Sequence, residues 1–278
     1  MIALLLITIG NFFSEIATSI GKREIEKKEE SVFTMIFLNL IFAVLILGGI
    51  AIFREGSFVF SWSSWPTFSA RVLLELALSY ITVMAIVKSD RSTFGFLRTS
   101  TIVFVFLIDI ILGTFLDFWE TMGIAVVVIA LLIIFLNHGI NKKGLSWVIA
   151  SSIIASVTIS LFKYDITNYN SVVAEQFLTG SIMAIYAFLM AYFVKKEDPI
   201  LFLRKPIFLV ESFSAGLETA IASFAYLFVP ASVGTAMSRA VTIMWSLIFG
   251  RKLFKEKHIV LKIAVFAVLL VGIIMLAL

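Results

Sequence analysis

Two stretches of the chain, Ile124–Leu136 and Ile263–Leu278, run without one polar side chain. Segments of that kind are hidden only in a large interior or in lipid. The chain has 278 residues, of which 61% are hydrophobic and 14% charged, and its mean hydropathy is +1.08. A water-soluble domain carries about 45–50% apolar and about 25% charged residues, so polar surface is too scarce here to coat a soluble globule. In lipid every backbone N–H and C=O must be paired within the protein, which restricts spanning structure to helices and closed barrels. Continuous apolar runs, as opposed to short alternating ones, select helices.

Charges, glycines and prolines divide the sequence into ten candidate spans: 1–21, 31–53, 67–88, 92–114, 118–137, 145–165, 171–194, 207–229, 231–250 and 259–278. A spanning helix needs about 20 apolar residues, so ten spans leave only short loops and no room for a soluble enzymatic or nucleotide-binding domain. The first segment lacks the basic start and small-residue cleavage site of a signal peptide. It carries Asn11 and Glu15 and ends in Gly21-Lys22-Arg23, so it is expected to be a retained span. No G-x-x-x-x-G-K-[ST] loop occurs, so neither ATP hydrolysis in this chain nor an ATPase subunit is implied. His138 and His258 stand apart, outside any H-E-x-x-H arrangement, no G-x-S-x-G elbow is found, and there is no cysteine. Enzymatic activity, a metal, another cofactor and nucleic-acid binding are therefore not expected.

With ten spans, one face collects all but five of the 22 lysines and arginines. Arg54, Arg71 and Lys163 fall to the other face, and Arg98 and Arg239 lie inside spans. Positive charge marks the cytoplasmic side, so both termini are expected outside the cytoplasm of an inner (cell) membrane protein. Phe60, Trp62 and Trp65 suit an interfacial belt. The run Lys22–Glu30, with Glu24 and Lys28 at i,i+4 spacing, reads as a solvated connector. Lys195-Lys196 and Arg204-Lys205 are placed to meet lipid headgroups.

Internal symmetry is expected in many membrane carriers. Arg98-Thr99-Ser100-Thr101-Ile102 returns 141 residues later as Arg239-Ala240-Val241-Thr242-Ile243, and Leu74-Glu75-Leu76-Ala77 returns 143 later as Leu217-Glu218-Thr219-Ala220. Halves of five spans, 1–139 and 140–278, insert in opposite directions because five is odd. The expected fold is an all-α membrane protein of ten transmembrane helices in two inverted five-helix repeats, forming one integrated membrane domain.

In this organisation the chain resembles the drug/metabolite transporter superfamily of the EamA type. The resemblance rests on the closing stretches of the two halves. Leu107–Leu136 has Leu112-Gly113 before Gly123-Ile124-Ala125, and Leu247–Leu276 has Lys252-Leu253-Phe254-Lys255-Glu256 before a glycine-containing apolar span. Glu256 matches the acidic residue usual after the fourth span of a half, whereas the first half has Phe115 there and Asp117 nearby. The proline common in spans four and nine is missing. The resemblance implies a secondary transporter, often an exporter, that rocks about a central cavity, and implies no particular substrate.

The residues themselves supply a candidate site. Ionisable groups at bilayer depth are expensive and generally face a bundle interior or a watery cavity. At about 1.5 Å of rise per residue, Glu218 lies about 16 Å from the cytoplasmic end of its span and Arg239 about 12 Å from the outer end of its own, which puts them at one level. Two carboxylate–guanidinium pairs are expected, Glu75 with Arg98 and Glu218 with Arg239. Glu15 is a further acid near the level of Arg98, and Asp109 lies toward the outer mouth. Glu15 and Glu75 are the candidates for carrying a coupling proton, because an unpaired buried carboxylate holds its proton more tightly. Thr101 and Thr242 share the helix faces of the two arginines. Tyr80 and Trp245 complete the candidate substrate contacts.

The expected function is secondary transport, in the export direction, of a small polar or zwitterionic organic metabolite, with an amino-acid-like compound as the specific guess. The arginines would hold a carboxylate and Glu75 or Glu218 an amine, with membrane lipids and protons as the other partners. Two different readings fit the same residues. A lipid-carrier flippase requires the polar stripe to reach a lipid-facing gap, and a non-transporting structural or signalling protein requires the charges to be sealed in dry packing.

Overall fold

The computed structural model describes residues 2–111, 118–136, 143–229, 231–254 and 259–275, and within them the chain is helical with no strand. The helices are α1 (Ile2–Glu26), α2 (Val32–Phe53), α3 (Trp65–Lys88), α4 (Arg91–Arg98), α5 (Ser100–Ile111), α6 (Phe118–Leu136), α7 (Leu145–Asn168), α8 (Val172–Leu189), α9 (Pro199–Phe202), α10 (Pro206–Ala225), α11 (Ala231–Phe254) and α12 (Ile259–Met275). A single 3₁₀ turn, Trp62–Ser64, leads into α3, and a π-helical turn, Met190–Lys195, ends α8. Among the described residues eight helical segments are long and apolar enough to cross a membrane, one of them α4 and α5 taken together over Arg91–Ile108, and shorter apolar stretches, Thr121–Ile133 and Val260–Met275, lie in α6 and α12. The chain is an all-α, multi-pass integral membrane protein. Phe53, Ile52 and Val260 are among its most exposed side chains, as lipid contact allows.

Helix boundaries follow local chemistry. Ser31 and Ser171 cap α2 and α8 by accepting from the N–H groups of Thr34 and Ala174, supplying an acceptor where the first turn has none. Proline at the first turn opens α9 and α10, where a missing N–H is harmless.

The one clear departure in the elements lies in the expected span 92–114, where the helical ladder is interrupted at Thr99 while the backbone there stays right-handed helical, with φ −61° and ψ −23°. α4 stops at Arg98 and α5 starts at Ser100, with no proline to force the break. Three consecutive hydroxyls account for it. Thr99 Oγ1 donates to the carbonyl of Gly95 (3.2 Å), Ser100 Oγ to that of Leu97 (2.7 Å) and Thr101 Oγ1 to that of Arg98 (2.7 Å). Side chains that bond back to the preceding turn compete with the backbone ladder and bend helices. Gly95, one turn before the break, lies against α11: a Cβ there would come within 2.5 Å of Ser246 Oγ, so glycine permits the crossing.

Packing places the interior. α1 runs along α10, α2 lies between α8 and α10, α3 packs on α7, α4 on α11, and α6 on α12. One apolar core gathers α4, α5, α6, α11 and α12 around Phe96, Ile102, Val127, Ile243 and Leu269. A second joins α2 to α8 and the start of α10 around Met35, Leu38 and Phe208. Between them the interior is polar.

The run Lys22–Glu30 is not a fully solvated connector. Lys22, Glu24 and Glu30 are buried, and Glu24 is held by Lys27 at 2.7 Å, at i,i+3 spacing. The helix continues through Glu26 and folds this end of α1 onto its neighbours. Residues 112–117, 137–142, 230, 255–258 and 276–278 lie outside the description, so the closing motifs around Leu112-Gly113, Phe115, Asp117 and Glu256, and His138 and His258, are not placed, nor is the side chain of Asp109.

Candidate functional site

Two cavities, of about 330 and 320 Å³, meet in the middle of the bundle. The first extends toward the end of the bundle that carries Lys88 and Arg91, past Asn11, Glu15 and Thr18. The second extends toward the opposite end, past Thr158, Gln176 and Arg71. Their common wall contains Glu75 from α3, Arg98 at the α4–α5 break, Glu218 from α10 and Ser238 and Arg239 from α11. The four ionisable residues singled out by depth alone are thus gathered from α3, α4, α10 and α11 onto the wall that the two cavities share.

They do not form the expected ion pairs. Among the described residues no salt bridge joins Glu75 to Arg98 or Glu218 to Arg239. Glu75 Oε1 instead lies 4.0 Å from Arg71 Nε, one turn back on its own helix, and Glu218 Oε2 accepts from Thr219 Oγ1 at 3.1 Å. Nε of Arg98 and Nε of Arg239 are both buried without a hydrogen-bond partner. Charges that border a cavity can remain unpaired where charges in dry packing cannot. The guanidinium groups therefore offer unused donors, and an anionic oxygen is the complement to such a planar fork.

Two tight ion pairs lie toward the two ends. Arg91 Nε and Nη2 donate to Glu15 Oε1 and Oε2 at 2.9 and 2.7 Å, and Nη2 also donates to Thr18 Oγ1 at 2.7 Å. Both side chains are at most 2% exposed. Glu15, expected as an unpaired carboxylate, is thus clamped by a guanidinium, because Arg91 belongs to the first turn of α4 and points inward from it. At the other end Arg71 Nη1 donates to Glu175 Oε1 at 2.8 Å and Nη2 to Gln176 Oε1 at 3.0 Å. Asn170 Nδ2 completes Glu175 at 2.6 Å, while its Oδ1 accepts from Ser61 N at 2.9 Å. The Arg71 guanidinium also lies over the Phe162 ring, 4.6 Å from its centre. Arg71, Arg91 and Glu175 went unrecognised in the sequence because each stands within a turn or two of a span end, where charge is ordinarily solvated.

The neutral candidates divide. Thr242 lines the first cavity and donates to Asn11 Oδ1 at 2.6 Å, with Ser238 beside them. Thr101 is fully buried, and its hydroxyl is used by the carbonyl of Arg98, so it supports the helix break and does not line either cavity. Tyr80 is exposed and packs between the rings of Phe33 and Trp147. Trp245 packs against Phe12 with ring centres 4.8 Å apart and the planes tilted by 59°, outside both cavity walls. Asn39, which lines the first cavity with an unpartnered Oδ1, is a polar contact of equal standing to Thr242.

The site defines a class before it defines a protein: a polytopic helical membrane protein with a charged cavity at its centre. No protein-family model and no curated protein matches the chain. Among the described residues no group of three or more acids, histidines or cysteines is arranged to hold a metal ion.

Proposed function

We propose that the chain is a secondary transporter of a small polar or zwitterionic organic molecule. In this reading it works by alternating access around the cavity bordered by Glu75, Arg98, Glu218 and Arg239. The observation that carries the reading is that two cavities share those four side chains in their walls, with Nε of Arg98 and of Arg239 unpartnered among the described residues. A structural or signalling protein gains nothing from unpaired charge at bilayer depth, which costs several kcal/mol. A carrier uses it to replace the hydration of a charged substrate. The arginines receive the anionic end of the substrate and the glutamates its cationic end. The buried pairs Glu15–Arg91 and Arg71–Glu175 sit where the two approaches to the site would alternately close. Export with a proton as coupling ion completes the proposal; Glu75, free of a tight partner, suits proton carriage better than Glu15.

Ten membrane helices in two inverted halves, an EamA-type drug/metabolite carrier, is the architecture proposed with it. The packing pattern supports it: exchanging the halves converts the α1–α10 contact into α7–α3 and returns α2–α8, α6–α12 and α4–α11 to themselves. An inner-membrane location with both termini outside the cytoplasm belongs to the same proposal.

The test is uptake into vesicles reconstituted with the purified chain, using a panel of radiolabelled zwitterionic, anionic and cationic metabolites. A zwitterion is expected to accumulate. Arg239→Gln and Glu218→Gln are expected to reduce its uptake by about tenfold or more, the value of one or two lost charged hydrogen bonds. Uptake of no member of the panel above protein-free vesicles, or uptake indifferent to both substitutions, contradicts the proposal.

A further inference from the structure

Away from the cavity, at the end of the bundle where α1 turns into α2, four carboxylates converge from three directions. Glu24 closes α1, Glu30 lies in the turn before α2, Glu197 follows the π-helical end of α8, and Glu211 stands in the second turn of α10. Each of the other three acts electrostatically on Glu30. Two of the four have partners. Glu24 accepts from Lys27 at 2.7 Å. Glu197 Oε2 accepts from Ser31 N at 3.1 Å and from the Thr34 hydroxyl, so it caps α2. The other two have none: all four oxygens of Glu30 and Glu211 are buried without a hydrogen-bond partner, with Glu30 4% and Glu211 0% exposed. Glu211 fits there because residue 21 is glycine. A Cβ at Gly21 would lie 2.6 Å from Glu211 Oε1.

Two buried, unpartnered carboxylates beside two more cannot both carry charge, because like charges in a desolvated site repel and neither is hydrated. Something positive has to be bound. Among the described residues, nearby cations do not supply it. Lys27 is taken by Glu24, and Lys22 donates to the Ser89 carbonyl and lies over the Phe254 ring. Lys28, Lys195, Lys196 and Arg204 are exposed, and Lys205, also exposed, lies over Phe202 and Phe208. The acids are not arranged to chelate a metal ion. We propose that Glu30 and Glu211 form a proton-binding site that holds the α1–α2 turn against α8 and α10, and that losing the proton loosens this end of the bundle. The inference goes beyond the transport reading and stands without it, since the proton is bound by the folded chain whether or not a substrate exists.

The electrostatics agree. Burial, and then repulsion from Glu211, Glu24 and Glu197, pushes the Glu30 carboxyl from an ordinary 4.5 up to about 10. A group that binds its proton more tightly folded than unfolded stabilises the fold most below its unfolded pKa. That contribution drains away as pH rises toward the folded value. The window is therefore the range between 4.5 and about 10, and stability falls across it as pH increases.

The experiment is thermal unfolding of the detergent-purified full chain from about pH 5 to about pH 9, comparing wild type with Glu30→Gln and Glu211→Gln. Glutamine is the neutral isostere of the protonated acid. Wild type is expected to melt at progressively lower temperature as pH rises. Each glutamine variant is expected to melt several degrees higher than wild type at the alkaline end, with a flatter profile. Variants that keep the wild-type slope, or melt lower than wild type at the alkaline end, overturn the proposal. So does a melting temperature that rises with added sodium or calcium at fixed pH in wild type alone, which would assign the site to a cation. Should a variant fail to fold, infrared spectroscopy of wild type near neutral pH decides: a buried protonated-carboxyl band that shifts only at alkaline pH is expected, and its absence rejects the site. No transport is read in any arm, so failure here is separable from failure of the transporter reading.

Discussion

An arginine buried beside a glutamate is the residue-scale device that recurs in this protein. It appears once toward each end, and its two copies are bonded differently. Glu15 and Arg91 share two hydrogen bonds at 2.7 and 2.9 Å, and removing one partner strands the other charge in a desolvated site, at a cost of about 3–5 kcal/mol. Arg91→Gln is therefore expected to lower the chemical unfolding stability of the detergent-purified chain by several kcal/mol. Replacing both residues together with methionine is expected to be far milder. Equal losses for the single and double variants would contradict the pairing. The central four charges are expected to behave in the opposite way. Arg239 lines both cavities and joins no salt bridge among the described residues, so Arg239→Gln should leave stability nearly unchanged while weakening substrate binding about tenfold or more, a combination that thermal unfolding with and without transported substrate can read directly. Depth arithmetic gathered Glu75, Arg98, Glu218 and Arg239 from the sequence, since rise along a helix is fixed. It could not supply the rotation of each helix about its axis, and rotation decides that Glu15 meets Arg91 and that Glu75 lies nearer Arg71 than Arg98.

At the scale of the element, the helices were readable because lipid demands long apolar runs, and the observed bounds of α2, α3 and α7 lie within a few residues of those expected. What escaped was the break between α4 and α5. Breaks are usually sought at proline, and here three successive hydroxyls, Thr99, Ser100 and Thr101, bond back to carbonyls of the preceding turn. Arg98 closes α4 at this interruption and lines both cavities. Such local back-bonds compete with the backbone ladder and add little stability, so replacing the three by Val, Ala and Val is expected to change stability by about 1 kcal/mol or less. Transport is expected to fall much further, because these hydroxyl bonds hold the turn that carries Arg98. Uptake that tracks the small stability change and goes no lower would show that the break does not position the site. The end of α1 escaped for a related reason. A string of alternating charges looks solvated in one dimension, yet the helix continues to Glu26 with Glu24 buried, and the turn after it buries Glu30.

For the whole molecule, the absence of cysteine from the sequence makes topology directly measurable. A cysteine appended to either terminus of the chain in intact cells is expected to react with a membrane-impermeant maleimide, and Lys28→Cys is expected to be protected until the membrane is opened. The reverse pattern would invert the proposed orientation. The claim beneath all others is that the four central charges, Glu75, Arg98, Glu218 and Arg239, border water. Ser238 stands in the wall shared by both cavities, and Ser238→Cys changes little but the reacting atom. In the reconstituted chain this cysteine is predicted to react readily with a small charged methanethiosulfonate, and the reaction to block both further labelling and uptake. A Ser238→Cys thiol that stays inert to the charged reagent in a folded chain, from either side of the membrane, would show a dry interior and contradict the account.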